Sequence, residues 1–490
     1  MSLARGRGCR PLRLAASPYT IIGSSPASIS ILRLRPCLAT TSRRRIHSSQ
    51  KRTSTIADHP IPDPLPPTMG TGRAPLAVLS LTMVLRSLAT TVVSSSPILL
   101  PPSLRIMALL ANSSNPVLNP DKNPLLRFFL KKTFYAQFCA GENAPEVRQT
   151  ISGLKNIGFT GVILCYAKEV VLTSDQAKAL GDPTKETKEA IDNEIRPWAE
   201  GTLETVRLVQ PGDYVALKFT GAGSLALGQL KARLAASPTL YKYIDDICQL
   251  AQQRGVRLLF DAEQDMLQDG IDDWTIEFAR KYNSGVNDPV IYGTYQAYKK
   301  CAPEVLSKHL ALAQKDKFSL GVKLVRGAYL GSDPRHLFHD TKEDTDVCYD
   351  KLAASVLTRQ WSSSVKGEGV YPPSSLMIAS HNAESVRRAR AICDAGTAKS
   401  DISFAQLQGM ADEVSCELVE AGQAAREEKG HKAPALPAYK YLVWGTTGEC
   451  MKYLLRRAQE NKDAVQRTRD SRDAMWTELV RRCKSVVGMA

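Results

Sequence analysis

Four side chains near the carboxyl end of the chain have types and spacing suited to holding a small carboxylate. They are Tyr453, Arg456, Arg457 and Glu460, at positions i, i+3, i+4 and i+7. On a helix these positions share one face. Two guanidinium groups form a rigid fork for a carboxylate ligand, and the glutamate can hold one of them in place. From this helix alone, a solvated face with one Arg–Glu ion pair is the simpler explanation.

The segment that carries these residues predicts its own local structure. An apolar run that includes Tyr441 predicts a strand, and a Thr/Gly turn follows it. Thr446 and Glu449 have the spacing of a capping box, so the helix is predicted to begin near Thr447.

Upstream of this segment, short β-branched runs alternate with helical stretches. The predicted strands are 159–166, 214–221, 256–263, 290–298, 320–329, 375–382, 402–410 and 440–445. Eight strand–helix units predict parallel pairing and an α/β fold that closes as a (β/α)8 TIM-type barrel. A doubly wound open sheet is the competing architecture. It would show a split in composition over this length, and the sequence has none.

Most of the predicted strands end in polar or ionisable residues. These are Lys218, Asp261, Glu263, Gln296, Lys323, Arg326, Tyr329, Ser380, His381, Asn382, Gln406 and Tyr441. The active site of such a barrel lies at the carboxyl ends of its strands. Any single residue of this set is more often structural than catalytic. Together they predict a polar, net-basic pocket for an anionic ligand.

One glycine-rich segment imitates a dinucleotide-binding motif. GAGSLALG, at 221–228, follows a predicted strand and contains Gly-x-Gly-x-x-Ala. The expected acidic residue at the end of the next strand is missing, because 241–246 has a helical pattern. We therefore interpret 221–228 as a flexible loop after the Lys218 strand.

The charge of the chain is concentrated at its amino end. Its net charge is +15, and residues 1–57 contain eleven Lys and Arg but no acid. Fifteen minus eleven leaves +4 for the remainder, which gives no sign of nucleic-acid binding. A leader rich in Arg, Ser and Ala predicts a mitochondrial transit peptide over 1–52, with cleavage between Arg44 and Ser49. A basic nucleic-acid-binding arm is the alternative.

The residues between the leader and the barrel divide into a linker and an apolar arm, together 53–123. The apolar stretch 74–112 is interrupted by Arg86 and is too short for a membrane span of about 20 residues. We expect it to pack on the barrel domain, 124–490, rather than to lie on a membrane surface. A helix with Phe and Leu on one side is predicted from about 124. Eleven cysteines without metal spacing indicate a reducing compartment and predict no metal site.

The chain contains six short motifs, which occur in the order FDAEQ, YQAY, KLVRGAY, SHNAES, QLQGM and YLLRRAQEN. Together they resemble the proline dehydrogenase family of mitochondrial, fungal type. The resemblance covers about 125–480 and implies a distorted (β/α)8 barrel that binds FAD. It implies oxidation of L-proline to Δ1-pyrroline-5-carboxylate, the first step of proline catabolism to glutamate. Hydride would pass to N5 of FAD, and electrons to ubiquinone at the matrix side of the mitochondrial inner membrane.

The resemblance also implies roles for individual residues. Lys218, Arg456 and Arg457 would clamp the proline carboxylate, and Glu460 would hold the arginine pair. The residues enclosing the ring would be Asp261, Leu324, Tyr329, Leu407 and Tyr441. FAD would contact Gln296, Lys323, Arg326, Gly327, Ala328, Ser380, His381, Asn382 and Gln406. Leu330 stands where bacterial relatives commonly have Trp.

Two other functions remain open at this point. Hydroxyproline dehydrogenase would use the same clamp, but the position of Tyr441 is typically small there, so Tyr441 favours proline. A catalytically inactive barrel acting as a scaffold or sensor is the second, and the intact clamp weighs against it.

Overall fold

The computed structural model describes residues 61–66, 74–168, 170, 175, 180–285, 288–429, 436–460 and 465–488, without the side chains of 428–429, 460 and 465–467. The chain divides at Ser54, and everything described belongs to the unit Thr55–Ala490. The predicted transit peptide, 1–52, and its cleavage site lie outside the described residues.

Nine strands form one parallel sheet. They are β1 Cys139–Gly141, β2 Gly161–Tyr166, β3 Tyr214–Leu217, β4 Arg257–Phe260, β5 Ile291–Gln296, β6 Leu320–Val325, β7 Ser374–Ala379, β8 Asp401–Leu407 and β9 Ala438–Trp444. Each strand from β2 to β9 pairs with the next, and β9 pairs back to β2, so these eight strands close a barrel. Short β1 pairs with the end of β9 at Val443 and Trp444, beyond the residues that pair with β8.

The helices surround this barrel and cover its mouth. They are α1 Leu81–Ser95, α2 Leu100–Asn112, α3 Pro124–Leu130, α4 Ala136–Phe138, α5 Ala144–Ile157, α6 Lys188–Ala190, α7 Arg196–Leu208, α8 Ser224–Lys231, α9 Pro238–Arg254, α10 Asp265–Tyr282, α11 Ala302–Asp316, α12 Lys342–Thr358, α13 Ala383–Asp394, α14 Asp412–Lys429, α15 Thr447–Glu460 and α16 Val465–Val486. Single π-helical turns join α3 to α4 and α6 to α7.

Successive side chains of each strand point to opposite sides of the sheet. In β9, Tyr439 and Tyr441 enter the barrel interior, whereas Ala438 and Leu442 join the outer core beneath the helices. Inside the barrel, tyrosines pack edge to face, with the Tyr214 and Tyr439 rings 5.0 Å apart. The same alternation decides which residues beyond each strand enter the mouth of the barrel.

The apolar arm packs on the barrel domain, as predicted. Small buried residues of α1, Ser87, Thr91 and Ser95, lie on the face that packs against α16. Helix α2 packs against α15. Among the described residues, no single helix is long and apolar enough to cross a membrane. Only α1 and α2 together, with an angle of 106° between them, meet that criterion of length and composition.

All eight predicted barrel strands are confirmed. Each is trimmed at one or both ends, and β7, β8 and β9 also begin one or two residues earlier than predicted. The barrel with an N-terminal helical arm is confirmed as the fold class. The predicted helix near residue 124 is present, although a π-helical turn interrupts it. The long connection from 168 to 211 contains helix and ends with α7.

The flexible loop predicted for 221–228 is wrong. A 3-10 turn over Phe219–Ala222 leads directly into α8, and the apolar residues of this helix are buried. Its glycines predict a loop, but within 221–228 only Gly223 has a positive φ, +97°, a backbone conformation that favours glycine. Gly223 is the N-cap residue of α8.

Gly270 on α10 lies against the backbone of Leu230 on α8, and an added Cβ would approach the Leu230 carbonyl oxygen to 2.3 Å. We expect Gly270→Ala to lower the free energy of unfolding by roughly 1–3 kcal/mol, because the two helices must separate. Gly153→Ala is the matched control, since nothing lies within 4 Å of its Cβ on α5. It should raise stability by about 0.5–1 kcal/mol. Chemical denaturation measures both, and equal effects would contradict the close helix contact.

Candidate active site

Helix α15 lies across the mouth of the barrel and is held at its amino end by three carboxylates. Thr446 and Glu449 form the predicted capping box, with Thr446 N donating to Glu449 Oε2 at 3.1 Å and Glu449 N donating to Thr446 Oγ1 at 3.2 Å. Glu142 accepts from Thr447 N at 2.9 Å, and Asp121 accepts from Gly448 N at 2.8 Å. Otherwise unpaired N–H groups and the helix dipole both favour negative charge there.

One face of α15 belongs to the barrel interior. Cys450, Tyr453 and Leu454 pack in the same cluster as the tyrosines of the strands. The guanidinium groups of Arg456 and Arg457 lie 5.9 and 5.3 Å from the centre of the Tyr453 ring. The aromatic face partly balances two adjacent cations. The arginine pair is therefore half-buried at the mouth rather than solvated on an outer surface.

Asp261 is the polar centre of the mouth. It follows β4, and one of its oxygens accepts from Lys323 Nζ at 2.5 Å while the other accepts from Tyr441 OH at 3.0 Å. All three side chains are buried. Strand alternation brings them together, since Lys323 on β6 and Tyr441 on β9 both point inward. A buried carboxylate with two such partners is fixed in position.

Lys218 is buried immediately after β3, near the same group. Its burial and the charge of Arg457 oppose the ammonium form. Tyr329, Cys165 and Asp261 nearby favour it, and the pKa of Lys218 is raised from its ordinary value. Lys218 is therefore cationic at neutral pH. The described mouth thus holds four cations, on Lys218, Lys323, Arg456 and Arg457, around the carboxylate of Asp261.

Glu263 lies one layer behind Lys218. Its carboxyl group accepts from Thr220 N at 3.1 Å and from Thr220 Oγ1 at 2.5 Å, which ties β4 to the turn after Lys218. Burial raises the pKa of Glu263 to about 7, although Lys218 and Thr220 favour its charged form. The group is protonated in part at neutral pH.

A second polar cluster lies beyond β6 and β7. Arg326 donates to Asp346 at 2.6 Å, to Ser380 Oγ at 2.6 Å and to Ser385 Oγ at 2.9 Å. Its guanidinium also lies 4.4 Å from the centre of the Tyr349 ring. Asn382 caps α13 by accepting from Ser385 N at 3.2 Å. The cluster combines a fixed guanidinium, hydroxyl groups and a helix amino end.

The remaining predicted cofactor residues border these two groups. Gly327 has φ +143°, and an added Cβ would lie 2.1 Å from Tyr298. The hydroxyl of Tyr298 donates to Gln296 Oε1 at 2.9 Å. His381 Nε2 accepts from Leu407 N at 3.1 Å, so this ring nitrogen carries no proton.

Most predicted site residues therefore converge on the mouth, but in two groups. Lys218, Asp261, Lys323, Tyr441, Arg456 and Arg457 form the inner group. Arg326, Ser380 and Asn382 form the outer one. Gln406 lies behind the latter, donating to the Ser380 carbonyl and accepting from Ser415. Ala328 is half-buried and Tyr329 buried beside Gly327, whereas Leu330 is exposed.

The placement of Leu324 corrects one prediction. Leu324 was expected to enclose the substrate ring, but it points outward into the core beneath the helices. The reason is strand alternation, because its neighbour Lys323 points inward. Leu407 packs at the interior cluster, as expected. The side chain of Glu460 lies outside the described residues.

Sequence reasoning overlooked three residues of this region. Tyr453 was seen only as part of the helix face, yet it supports both arginines. Asp121 and Glu142 were not recognised as caps because they lie more than 300 residues from α15. The only available signal was their isolation, since Asp121 is the single acid between 74 and 141.

The fold and this site define a (β/α)8 barrel enzyme with a cationic pocket at the carboxyl ends of its strands. The family model described as proline dehydrogenase matches residues 147–470, which is two thirds of the chain. The chain belongs to the proline dehydrogenase family.

Individual relatives agree with this assignment. The chain is 27% identical over 410 residues to the probable mitochondrial proline dehydrogenase of Schizosaccharomyces pombe, covering 74% of this chain and 80% of the relative. It is 29% identical over 394 residues to hydroxyproline dehydrogenase of Bos taurus, covering 72% and 81%. The fold is similar to proline utilization A from Bdellovibrio bacteriovorus, with a TM-score of 0.53 at 18% identity. That match covers 74% of this chain but only 36% of the longer one.

The raised pKa of Glu263 predicts a pH-dependent stability. Between its ordinary pKa, 4.5, and about 7, the folded state binds a proton that the unfolded state has lost. The free energy of unfolding should therefore fall as pH rises through this window, by roughly 3 kcal/mol from Glu263. We expect Glu263→Gln to remove this part of the slope, and exposed Glu277→Gln to leave it unchanged. Denaturation between pH 5 and about 7 measures the slope, and identical slopes for all three proteins would contradict the assignment.

Proposed function

We propose that the protein is an FAD-dependent proline dehydrogenase, which oxidises L-proline to Δ1-pyrroline-5-carboxylate as the first step of proline catabolism to glutamate. The observation that carries the proposal is the inner group of the mouth. Arg457 and Lys218 approach each other there beside a carboxylate already committed to two other partners. An anionic ligand bound there would interact favourably with both cations. The family supplies the substrate that bears such a group.

The carboxylate of proline would bind to Arg456, Arg457 and Lys218. Two guanidinium groups from consecutive residues and one ammonium can contact both of its oxygens. Tyr453 beneath the arginines limits their movement, so the carboxylate would have a fixed position. With that end fixed, the ring would extend toward Tyr441, whose hydroxyl is held by Asp261. This arrangement would orient the substrate.

The residues around the mouth fit FAD. Gln296, Lys323, Arg326, Ser380 and Asn382 offer donors and acceptors for a flavin ring and for phosphate groups. Gly327 suits this position because its φ and its contact with Tyr298 leave no space for a Cβ, and its backbone would contact the cofactor. Bound FAD would supply a hydride acceptor, N5, for C5 of proline. Lys323 and Arg326 would place positive charge near it, which favours a reduced, anionic flavin.

The cellular setting follows from the relatives and the leader. Several relatives are named mitochondrial, and residues 1–52 have the composition of a transit peptide. We infer that the protein acts in the mitochondrion, at the matrix side of the inner membrane, with ubiquinone as its electron acceptor. Residues 53–123 would then be linker and arm, and 124–490 the catalytic barrel.

Hydroxyproline is the alternative substrate, supported by the similarity to hydroxyproline dehydrogenase over most of the chain. Tyr441 favours proline. The carboxylate of Asp261 already accepts from its phenol, and the phenol fills the mouth where a ring hydroxyl would need space.

The purified protein is expected to show flavin absorption that bleaches on addition of L-proline. Arg457→Met should raise the proline concentration required for half-bleaching by about 10- to 100-fold, because a charge-assisted contact is worth roughly 1.5–3 kcal/mol. Lys452→Met, on the exposed side of the same helix, is the matched control and should change it little. Flavin absorption without bleaching would support the scaffold or sensor function instead. Equal effects of both variants would remove Arg457 from the substrate site.

Selectivity between the two substrates tests the role of Tyr441. We expect Tyr441→Ser to lower kcat/KM for L-proline and to raise it for trans-4-hydroxy-L-proline, because the substitution opens space for the ring hydroxyl. A buried hydroxyl without a partner costs roughly 1–3 kcal/mol, which corresponds to a ratio changed by about 10- to 100-fold. Assays of both substrates with wild type and variant measure the ratio. A wild type that prefers hydroxyproline would overturn the choice of proline.

A further inference from the structure

Helix α2 has two apolar faces, and only one of them is covered. Met107 and Ala111 pack with α3 and with Met451 and Leu455 of α15 in one cluster. On the opposite side Ile106 and Leu109 are exposed, Ile106 at 58% of its surface. A helix that is apolar all round is normally buried on all sides.

Helix α3 repeats this arrangement beside it. Leu130 is buried in the same cluster against α15, and Leu126 packs at its edge. Leu125, Phe128 and Phe129 point to solvent, with 76%, 62% and 63% of their surfaces exposed. We name the exposed side chains of Leu99, Ile106, Leu109, Leu125, Phe128 and Phe129 the arm face. Single exposed apolar residues are ordinary, but five on two helices that share one cluster, with Leu99 directly before α2, mark an interaction surface.

The charge of the segment that carries the arm face is mostly positive. From 74 to 141 the sequence contains six Lys and Arg and one acid, Asp121, which is engaged at the amino end of α15. Arg105, Arg127 and Lys132 are exposed among the apolar side chains. The ammonium of Lys132 lies 6.0 Å from the centre of the Phe128 ring. Long cationic side chains beside apolar ones suit a boundary between lipid chains and anionic headgroups.

A second copy of the chain fits this surface less well than a bilayer does. A two-fold symmetric contact would place the same patch on both sides of the interface. It would place Arg105, Arg127 and Lys132 against a patch that carries the same three cations. An anionic lipid surface offers both an apolar layer for the six side chains and negative charge for the three cations.

We propose that the arm face is the surface by which this protein docks on an anionic lipid bilayer. The proposal deepens the proposed function, because delivery of electrons to a quinone dissolved in the membrane requires such a surface. Helix α15, which carries Arg456 and Arg457, lies between the cluster beneath the arm face and the barrel interior. Docking there would hold the active-site side of the barrel at the membrane, with α2 and α3 lying on its surface.

The test measures flotation of the full chain with phosphatidylcholine vesicles, with and without about 20% phosphatidylglycerol. Ile106→Ser combined with Phe128→Ser removes apolar contacts. Leu234→Ser combined with Val370→Ser is the matched control, since both residues are exposed elsewhere on the barrel domain. Thermal unfolding and proline-dependent reduction of a soluble dye check that each variant is folded and active.

We expect wild type and control to bind anionic vesicles equally, and the apolar variant to bind about tenfold or more weakly. Arg105→Gln, Arg127→Gln and Lys132→Gln together should lower binding to anionic vesicles by roughly a hundredfold, and binding to neutral ones little. Dye reduction should be unchanged throughout. Equal binding of wild type and apolar variant would overturn the proposal, as would failure of wild type to bind.

Two further outcomes are distinguishable. A wild-type dimer in sedimentation that the apolar variant loses, without vesicle binding, would assign the arm face to a second copy and overturn the proposal. Vesicle binding requires no turnover. A protein that binds through the arm face but never reduces the dye with proline would support the docking surface while overturning the proposed function.

Discussion

The amino end of α15 is the constraint on which the site depends. The first backbone N–H groups of a helix have no partner within the helix. If the helix is to keep its position across the barrel mouth, these groups need hydrogen-bond acceptors from elsewhere. Glu142, just after β1, and Asp121, between α2 and α3, supply them together with Glu449 of the helix itself. Their negative charge also interacts favourably with the positive end of the helix dipole. The arm and β1 thereby fix the helix that carries Tyr453 and both arginines.

Within the mouth, polar groups are buried only because they bind one another. Asp261 would be costly alone in this interior, but Lys323 and Tyr441 occupy both of its oxygens. Closer to α15 the side chains of Lys218 and Arg457 are near each other, and the charge of Arg457 opposes the ammonium form of Lys218. Cations gathered at the mouth in this way would favour the binding of an anion. Substrate binding and the stability of the mouth are in this way linked.

The segment from α2 to α3 can act on both the site and its surroundings. The inner faces of α2 and α3 cover α15 with apolar contacts, and Asp121 between them holds its end. The outer faces are left apolar and cationic. A change in the position of α2 and α3 would therefore be transmitted to Arg456 and Arg457 through α15. No change within the barrel strands is needed for that coupling.

The sequence by itself determined the barrel, because strand and helix patterns are local and eight repeats of them leave few closed arrangements. It also determined the polar strand ends, the capping box and the arginine face, whose spacings are readable within a few residues. The tertiary structure decided what depends on contacts between distant segments. It turned Leu324 outward, converted the glycine-rich 221–228 into a buried turn and helix, and brought Asp121 and Glu142 to α15. Which acceptor reaches an open N–H, and which side of a strand faces the mouth, follow from closure of the whole barrel rather than from neighbouring residues.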